Sequence, residues 1–115
     1  MKLNVILGST VLSATLNDSH AARDFAAMMP LDLHLSDYHG VEKVSDLPRR
    51  LATTGAPGRY DPRRGDITLY APWGNLALFY EDAPAAAGLV PLGRFDGPVM
   101  ALRNANTVRF EVAAD

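Results

Sequence analysis

Apolar and polar residues alternate in short blocks along most of the chain, and each block reads as a strand. Leu3, Val5 and Leu7 fall on one side of the segment Lys2 to Leu7, with Asn4 on the other. Gly8-Ser9-Thr10 is a turn signal, and Val11 to Leu16 follow as a second strand in which Ser13 and Thr15 separate Leu12, Ala14 and Leu16. These two strands are predicted to pair antiparallel. Leu31, Leu33 and Leu35 alternate with Asp32, His34 and Ser36, the cleanest half-buried pattern in the sequence. Val108, Phe110 and Val112 alternate with Arg109 and Glu111 in a last strand. The period lengthens once near the start, where Ala22, Phe25, Ala26 and Met29 recur at helical spacing. Asn17-Asp18-Ser19 offers N-cap side chains and Pro30 stops the helix at or before Met29. The spacing predicts a helix of about three turns that plugs the sheet, with Phe25 its deepest residue.

The stretch from Gly65 to Tyr80 organises the rest. Ile67 and Leu69 point one way, and Asp66, Thr68 and Tyr70 the other. After a Pro72-Trp73-Gly74-Asn75 corner, Leu76, Leu78 and Tyr80 share one face while Ala77 and Phe79 share the opposite one. Both faces of this second strand are apolar, so both are expected to be covered. Pro72 cannot donate to a ladder and Gly74-Asn75 tolerates positive φ, so the four residues break the pairing. They leave the single indole, Trp73, at a strand end. Two readings stand there: the ring plugs one end of a barrel, or it faces a binding surface.

The remaining segments are less periodic. Tyr38-His39-Gly40 turns the chain, Val41 to Val44 form a short strand, and Ser45-Asp46-Leu47-Pro48 reads as a cap and one helical turn. Arg49 to Arg64 form the longest loop, rich in Gly, Pro and Thr and carrying Arg59, Arg63 and Arg64. That basic cluster is either a solvated surface offsetting acidic neighbours or a gate beside a groove for an anion or carboxylate. Glu81 to Gly88 is small and flexible in composition, and Leu89 to Phe95 is a strand in which Pro91 marks an edge or a bulge. Asp96-Gly97-Pro98 opens a short helix through Leu102. Seven or eight short strands with two or three short helices predict a mainly β, closed barrel. Closure removes the edges that so small a sheet would otherwise expose.

At 115 residues the chain is expected to be one domain, 1–115, large enough for one core without metal or disulfide support. A net charge of −2 argues against a nucleic-acid partner. The absence of cysteine rules out disulfides, thiolate metal sites and cysteine nucleophiles. No apolar run is long enough for a transmembrane helix. Lys2 to Leu16 faintly resembles a signal peptide, but Asn4, Ser9, Thr10, Ser13 and Thr15 interrupt it, and the expectation is a hairpin in a cytoplasmic protein.

Catalytic chemistry finds little to hold. No G-x-S-x-G is present, and Ser9 sits in a hairpin turn. His34, Asp37 and His39 are close in sequence, yet a strand end sends them to different faces, so no metal site is expected. Glu81 and Asp82 are adjacent and point apart. Gly55-Ala56-Pro57-Gly58 lacks the lysine and helix of a P-loop. No cofactor is implied.

Several longer stretches carry a resemblance: Thr15-Leu16-Asn17-Asp18, Ala22 to Pro30, Asp37 to Lys43, Gly65-Asp66-Ile67, Tyr70 to Ala77, Phe79 to Asp82 and Gly88 to Arg94. Together they resemble the small cyclophilin-like proteins of bacteria and archaea, from about Lys2 to Gly97. The resemblance implies a closed eight-stranded β-barrel with short helices at its ends. True cyclophilins are prolyl isomerases whose active face pairs an arginine with aromatic residues and a glutamine. This chain contains no glutamine, and its loop arginines lack the preceding Phe, so no isomerase residue carries over. Two functions follow as expectations. In the first, Tyr70, Trp73, Phe79 and Tyr80, with Glu42 and Arg94, line an aromatic rim that binds a peptide or small-molecule ligand, Arg94 fixing a carboxylate or carbonyl. In the second, the chain is a peptidyl-prolyl isomerase in which an arginine polarises the prolyl amide.

Overall fold

The computed structural model describes residues 1–114. In chain order its elements are β1 (Lys2–Leu7), β2 (Thr10–Leu16), α1 (His20–Ala26), β3 (Leu31–His34), β4 (Ser36–Tyr38), β5 (Glu42–Asp46), β6 (Arg59–Tyr60), β7 (Asp66–Tyr70), β8 (Asn75–Phe79), β9 (Ala86–Ala87), β10 (Leu89–Phe95), a 3₁₀ helix (Met100–Asn104) and β11 (Thr107–Val112). The alternation at the N-terminus builds the first hairpin, with β1 and β2 antiparallel from Lys2↔Thr15 to Leu7↔Thr10. The hydrophobic halves of the strands face one core: Leu3, Val5, Ala14, Leu16, Ile67, Leu69, Leu76, Leu78, Leu92 and Phe110 all lie within it.

Nine strands form one sheet in the order β3-β11-β1-β2-β10-β7-β8-β5-β4. Its two terminal strands, β3 and β4, are separated in the chain by Leu35 alone. Leu31 to Tyr38 is therefore one bent stave that pairs with β11 through its first half and with β5 through its second. Leu35 itself is buried in the core, and its N–H donates to the Asn106 carbonyl at 2.8 Å. Counted by staves, the sheet is the expected eight-stranded closed barrel. The bend explains the ninth strand: one segment is split because its two halves have different partners.

The helix is shorter than its apolar stripe. Ser19 caps it by accepting from the Ala22 N–H at 3.1 Å, and it runs only to Ala26, two turns rather than three. Phe25 is fully buried and meets Phe110 edge-on at 5.1 Å. Three further segments depart from the sequence reading. Ser45 and Asp46 continue β5 instead of capping a helical turn, because Ser45 pairs with Leu76 and Asp46 with Asn75. The long loop contains β6, paired with β9 in a small ribbon. The helix after Asp96 begins only at Met100 and is 3₁₀.

Pro91 sits in an interior strand and marks a bulge: the β10–β7 register shifts between Pro91 and Gly93. Gly93 is needed there for close approach. A Cβ at that position would lie 2.3 Å from the Thr15 carbonyl oxygen and 2.8 Å from Leu16 Cα. No helix among the described residues is long and apolar enough to cross a membrane.

Candidate functional site

The two-faced strand β8 generates two apolar regions. Leu76 and Leu78 turn into the barrel, while Ala77 and Phe79 turn outward and join Leu89 in a second buried cluster. Val44, Tyr60, Tyr70, Ala83 and Ala86 pack around that cluster. The cover is the ribbon formed by β6 and β9, with its flanking loops. It is tied down where the Ala71 N–H donates to the Gly88 carbonyl (2.8 Å), the Gly88 N–H to the Gly58 carbonyl (3.0 Å) and the Tyr60 hydroxyl to Asp66 Oδ2 (2.9 Å).

The cover does not reach the bent stave. Between them lies an open trough of about 1050 Å³ on the outer wall of the barrel. The outward residues of the stave, Asp32, His34, Ser36 and Tyr38, form one side. Glu42 and Val44 of β5 with Phe79 of β8 form the floor, and Tyr70, Trp73 and Asn75 close one end. Pro62, Ala83, Pro84 and Ala86 of the cover form the far side.

The corner that presents Trp73 is fixed by its backbone. The Gly74 N–H donates to the Tyr70 carbonyl at 2.8 Å, and Gly74 adopts φ +70°, a conformation that favours glycine. Arg50 Nη1 donates to the Ala71 carbonyl at 3.0 Å and backs the turn. The indole is 70% exposed and meets Tyr70 edge-on at 5.6 Å. It therefore does not plug the barrel.

Glu42 stands between Tyr38 on β4 and Phe79 on β8, its direct cross-strand neighbours. Burial beside these rings pushes its carboxyl up to about 7. Among the described residues it has no hydrogen-bond or ion-pair partner. Asn75 is buried, and its Oδ1 also lacks a hydrogen-bond partner. The other carboxylates of the trough are Asp32, paired with Arg109 at 2.7 Å, and Asp46, which has no ion-pair partner among the described residues.

Of the six residues singled out from the sequence, the trough brings together Glu42, Tyr70, Trp73 and Phe79. Tyr80 and Arg94 lie elsewhere. Tyr80 belongs to the barrel core and its hydroxyl donates to Asp37; that bond raises the phenol's pKa and lowers the carboxyl's. Arg94 pairs directly with Asp66 across the β10–β7 ladder and donates to the Arg64 carbonyl at 3.0 Å. Asp66 is the opposite end of β7 from Tyr70, about 13 Å away at roughly 3.3 Å per residue. Asp66 is fully buried and also accepts from the Arg63 N–H at 2.8 Å.

The loop arginines are engaged too: Arg63 with Asp61, Arg64 with Glu81, and Arg59 with the Ala85 carbonyl. None of them lines the trough. The sequence reading missed Tyr38, Val44 and Asp46 as wall residues. The alternation that placed His34 on a polar face could have found the stave's side, since Asp32 and Ser36 share that face. No group of three or more metal-ligating side chains occurs among the described residues.

Comparison with curated proteins finds no match. Among solved structures, the chain is similar to a hypothetical protein from Archaeoglobus fulgidus determined in solution. The TM-score is 0.72 at 18% identity, covering 98% of this chain and 95% of that one, a likeness of fold alone. Residues 5–112 match the cyclophilin-like family. With almost the whole barrel inside that match, from β1 to the end of β11, the chain belongs to the cyclophilin-like family.

Proposed function

We propose that this protein is a non-catalytic binding module that takes a short peptide or small molecule in the trough on the outer wall of its barrel. One observation carries the reading. A concave wall of Tyr38, Phe79, Tyr70 and Trp73 stays open beside a satellite core that is otherwise covered. Its volume, about 1050 Å³, stands at the upper end of the range of about 300–1,000 Å³ usual for ligand pockets. Apolar and aromatic surface predominates on its walls, and polar side chains such as Asp32, Glu42, Asp46 and Asn75 stand among it to set orientation. The isomerase alternative would draw on an exposed arginine beside this surface. Arg94 is instead held by Asp66 and lies outside the trough.

Trp73 reports on occupancy directly, since it is the only tryptophan. Titrating its emission against a panel of short peptides and metabolites is expected to give saturable changes that Tyr70→Ala weakens. A flat response to every member refutes the reading. A protease-coupled proline-isomerisation assay is expected to show no acceleration. Acceleration that disappears in Arg94→Ala would make the protein an enzyme instead.

A further inference from the structure

We propose that the occupant of the trough is an organic cation: an apolar or aromatic body carrying a protonated or quaternary amine, with Glu42, between the rings of Tyr38 and Phe79, as its counter-charge, and with its body directed toward Tyr70 and Trp73. This rests on reading the trough as the binding site, and adds the chemistry of the guest.

The polar groups of the wall point to that charge. No lysine or arginine lines the trough, whereas Asp32, Glu42 and Asp46 do. Asp32 is already neutralised by Arg109. Glu42 and Asp46 are not paired among the described residues. Glu42 is half-buried between two rings, where a carboxylate is costly without a partner. The second partnerless group, Asn75 Oδ1, is an acceptor that calls for a donor. Asn75, at the other end of β8 from Phe79, is left to a donor on the body of the guest, and an ammonium supplies the positive charge for Glu42. The aromatic faces add to it, because a cation within about 6 Å of a ring centroid is drawn to the ring's negative face. An anionic guest would meet two unpaired carboxylates and no guanidinium. The nearest arginine at the corner, Arg50, is spent on the Ala71 carbonyl behind the turn.

The cross-strand neighbours of Glu42 are Tyr38 and Phe79, and the other titratable groups of the trough are Asp32, His34, His39, Asp46 and Tyr70. The Glu42 carboxyl gains its negative charge through about 7. A cation is therefore expected to bind more tightly as pH rises from 6 to 8. Only comparison with Glu42→Gln isolates the carboxylate's share.

The test uses three benzyl probes, read by Trp73 emission: benzyltrimethylammonium, its neutral isostere neopentylbenzene, and the anion phenylacetate. The quaternary probe keeps its charge at every pH. It is expected to bind about tenfold more tightly than the neutral one, the advantage of a partly desolvated cation–π and carboxylate contact, and phenylacetate not at all. Glu42→Gln is expected to remove most of that preference and its pH dependence. Equal or tighter binding of the neutral or anionic probe overturns the cation inference and leaves the trough as a site. Loss of preference must come with intact folding, which circular dichroism of the variant checks. An unchanged preference in Glu42→Gln also overturns the assignment. No response to any of the three, with the peptide and metabolite panel flat as well, overturns the trough itself.

Discussion

Glu42→Gln has a second, ligand-free consequence whose sign and size follow from the fold. In the unfolded chain the Glu42 carboxyl loses its proton near the ordinary 4.5, and in the barrel only near 7. Between those values the folded state binds more protons than the unfolded one, so stability falls as pH rises through the interval. Below about 4.5 both states are protonated and the group contributes nothing; above about 7 the whole penalty is present. At about 1.4 kcal/mol per pH unit the full displacement from 4.5 to about 7 would be about 3–4 kcal/mol. The side chain is only partly buried, so water still screens the penalty, and about 1–2 kcal/mol is the figure to expect. Glutamine fills the same space without a charge. The variant should match the parent at pH 4 and exceed it by that amount at pH 8. Urea unfolding followed by circular dichroism at both values measures the difference. With a slope of about 2 kcal/mol per molar urea, the midpoint should rise by roughly 0.5–1 M at pH 8. The effects of Asp24, Asp96 and the histidines are common to both proteins and cancel. A difference that stays flat from pH 4 to 8, or grows in the opposite direction, refutes the burial argument for Glu42.

Three other outcomes are open to measurement. Asp66→Asn breaks the pair between a buried carboxylate and the half-exposed Arg94 and weakens the bonds from Tyr60 and the Arg63 N–H, so chemical denaturation should show a loss of about 1–3 kcal/mol; under about 0.5 kcal/mol would mean that the pair is not structural. Gly93→Ala drives a methyl group into the Thr15 carbonyl across the bulge and should cost about 1–3 kcal/mol or more in the same assay, with a parent-like midpoint contradicting the close approach. Asp96 accepts from Ser13, Thr15 and Lys2, and these bonds hold its carboxyl at about 2, below the ordinary 3.8. Its contribution is present above 3.8 and is lost as pH falls through about 2, so the melting temperature should drop less steeply below pH 4 in Asp96→Asn than in the parent.

The strands were legible because period two survives burial on one face, as in Leu3, Val5 and Leu7. The same rule already contained the fate of Tyr80. It shares a face with Leu76 and Leu78, so it could not stand beside Phe79 on one surface. Treating aromatic residues as one group by sequence proximity set the pleat aside. Arg94 could not be placed from its own neighbours, because its partner Asp66 lies 28 residues away and a ladder register brings them together. Ser45 and Asp46 look like a helix cap locally, and only their pairing with Leu76 and Asn75 makes them strand. The trough was invisible for a similar reason. Its walls come from five separated segments, and the cover over Phe79 consists of two-residue strands too short to leave a pattern.

The bent stave gives the barrel a zipper. Its joins are short, three residue pairs to β5 and four to β11, against six between β1 and β2. Within the barrel only the β2–β10 join is as brief as that to β5; a cylinder of this kind opens along its brief seams, and amide exchange at Ser36–Tyr38 should be faster than along the first hairpin. The trough straddles that line, with Tyr38 on one lip and Glu42 on the other. A guest lodged there would act as a splint, and its arrival would be felt as slower breathing of the whole ring.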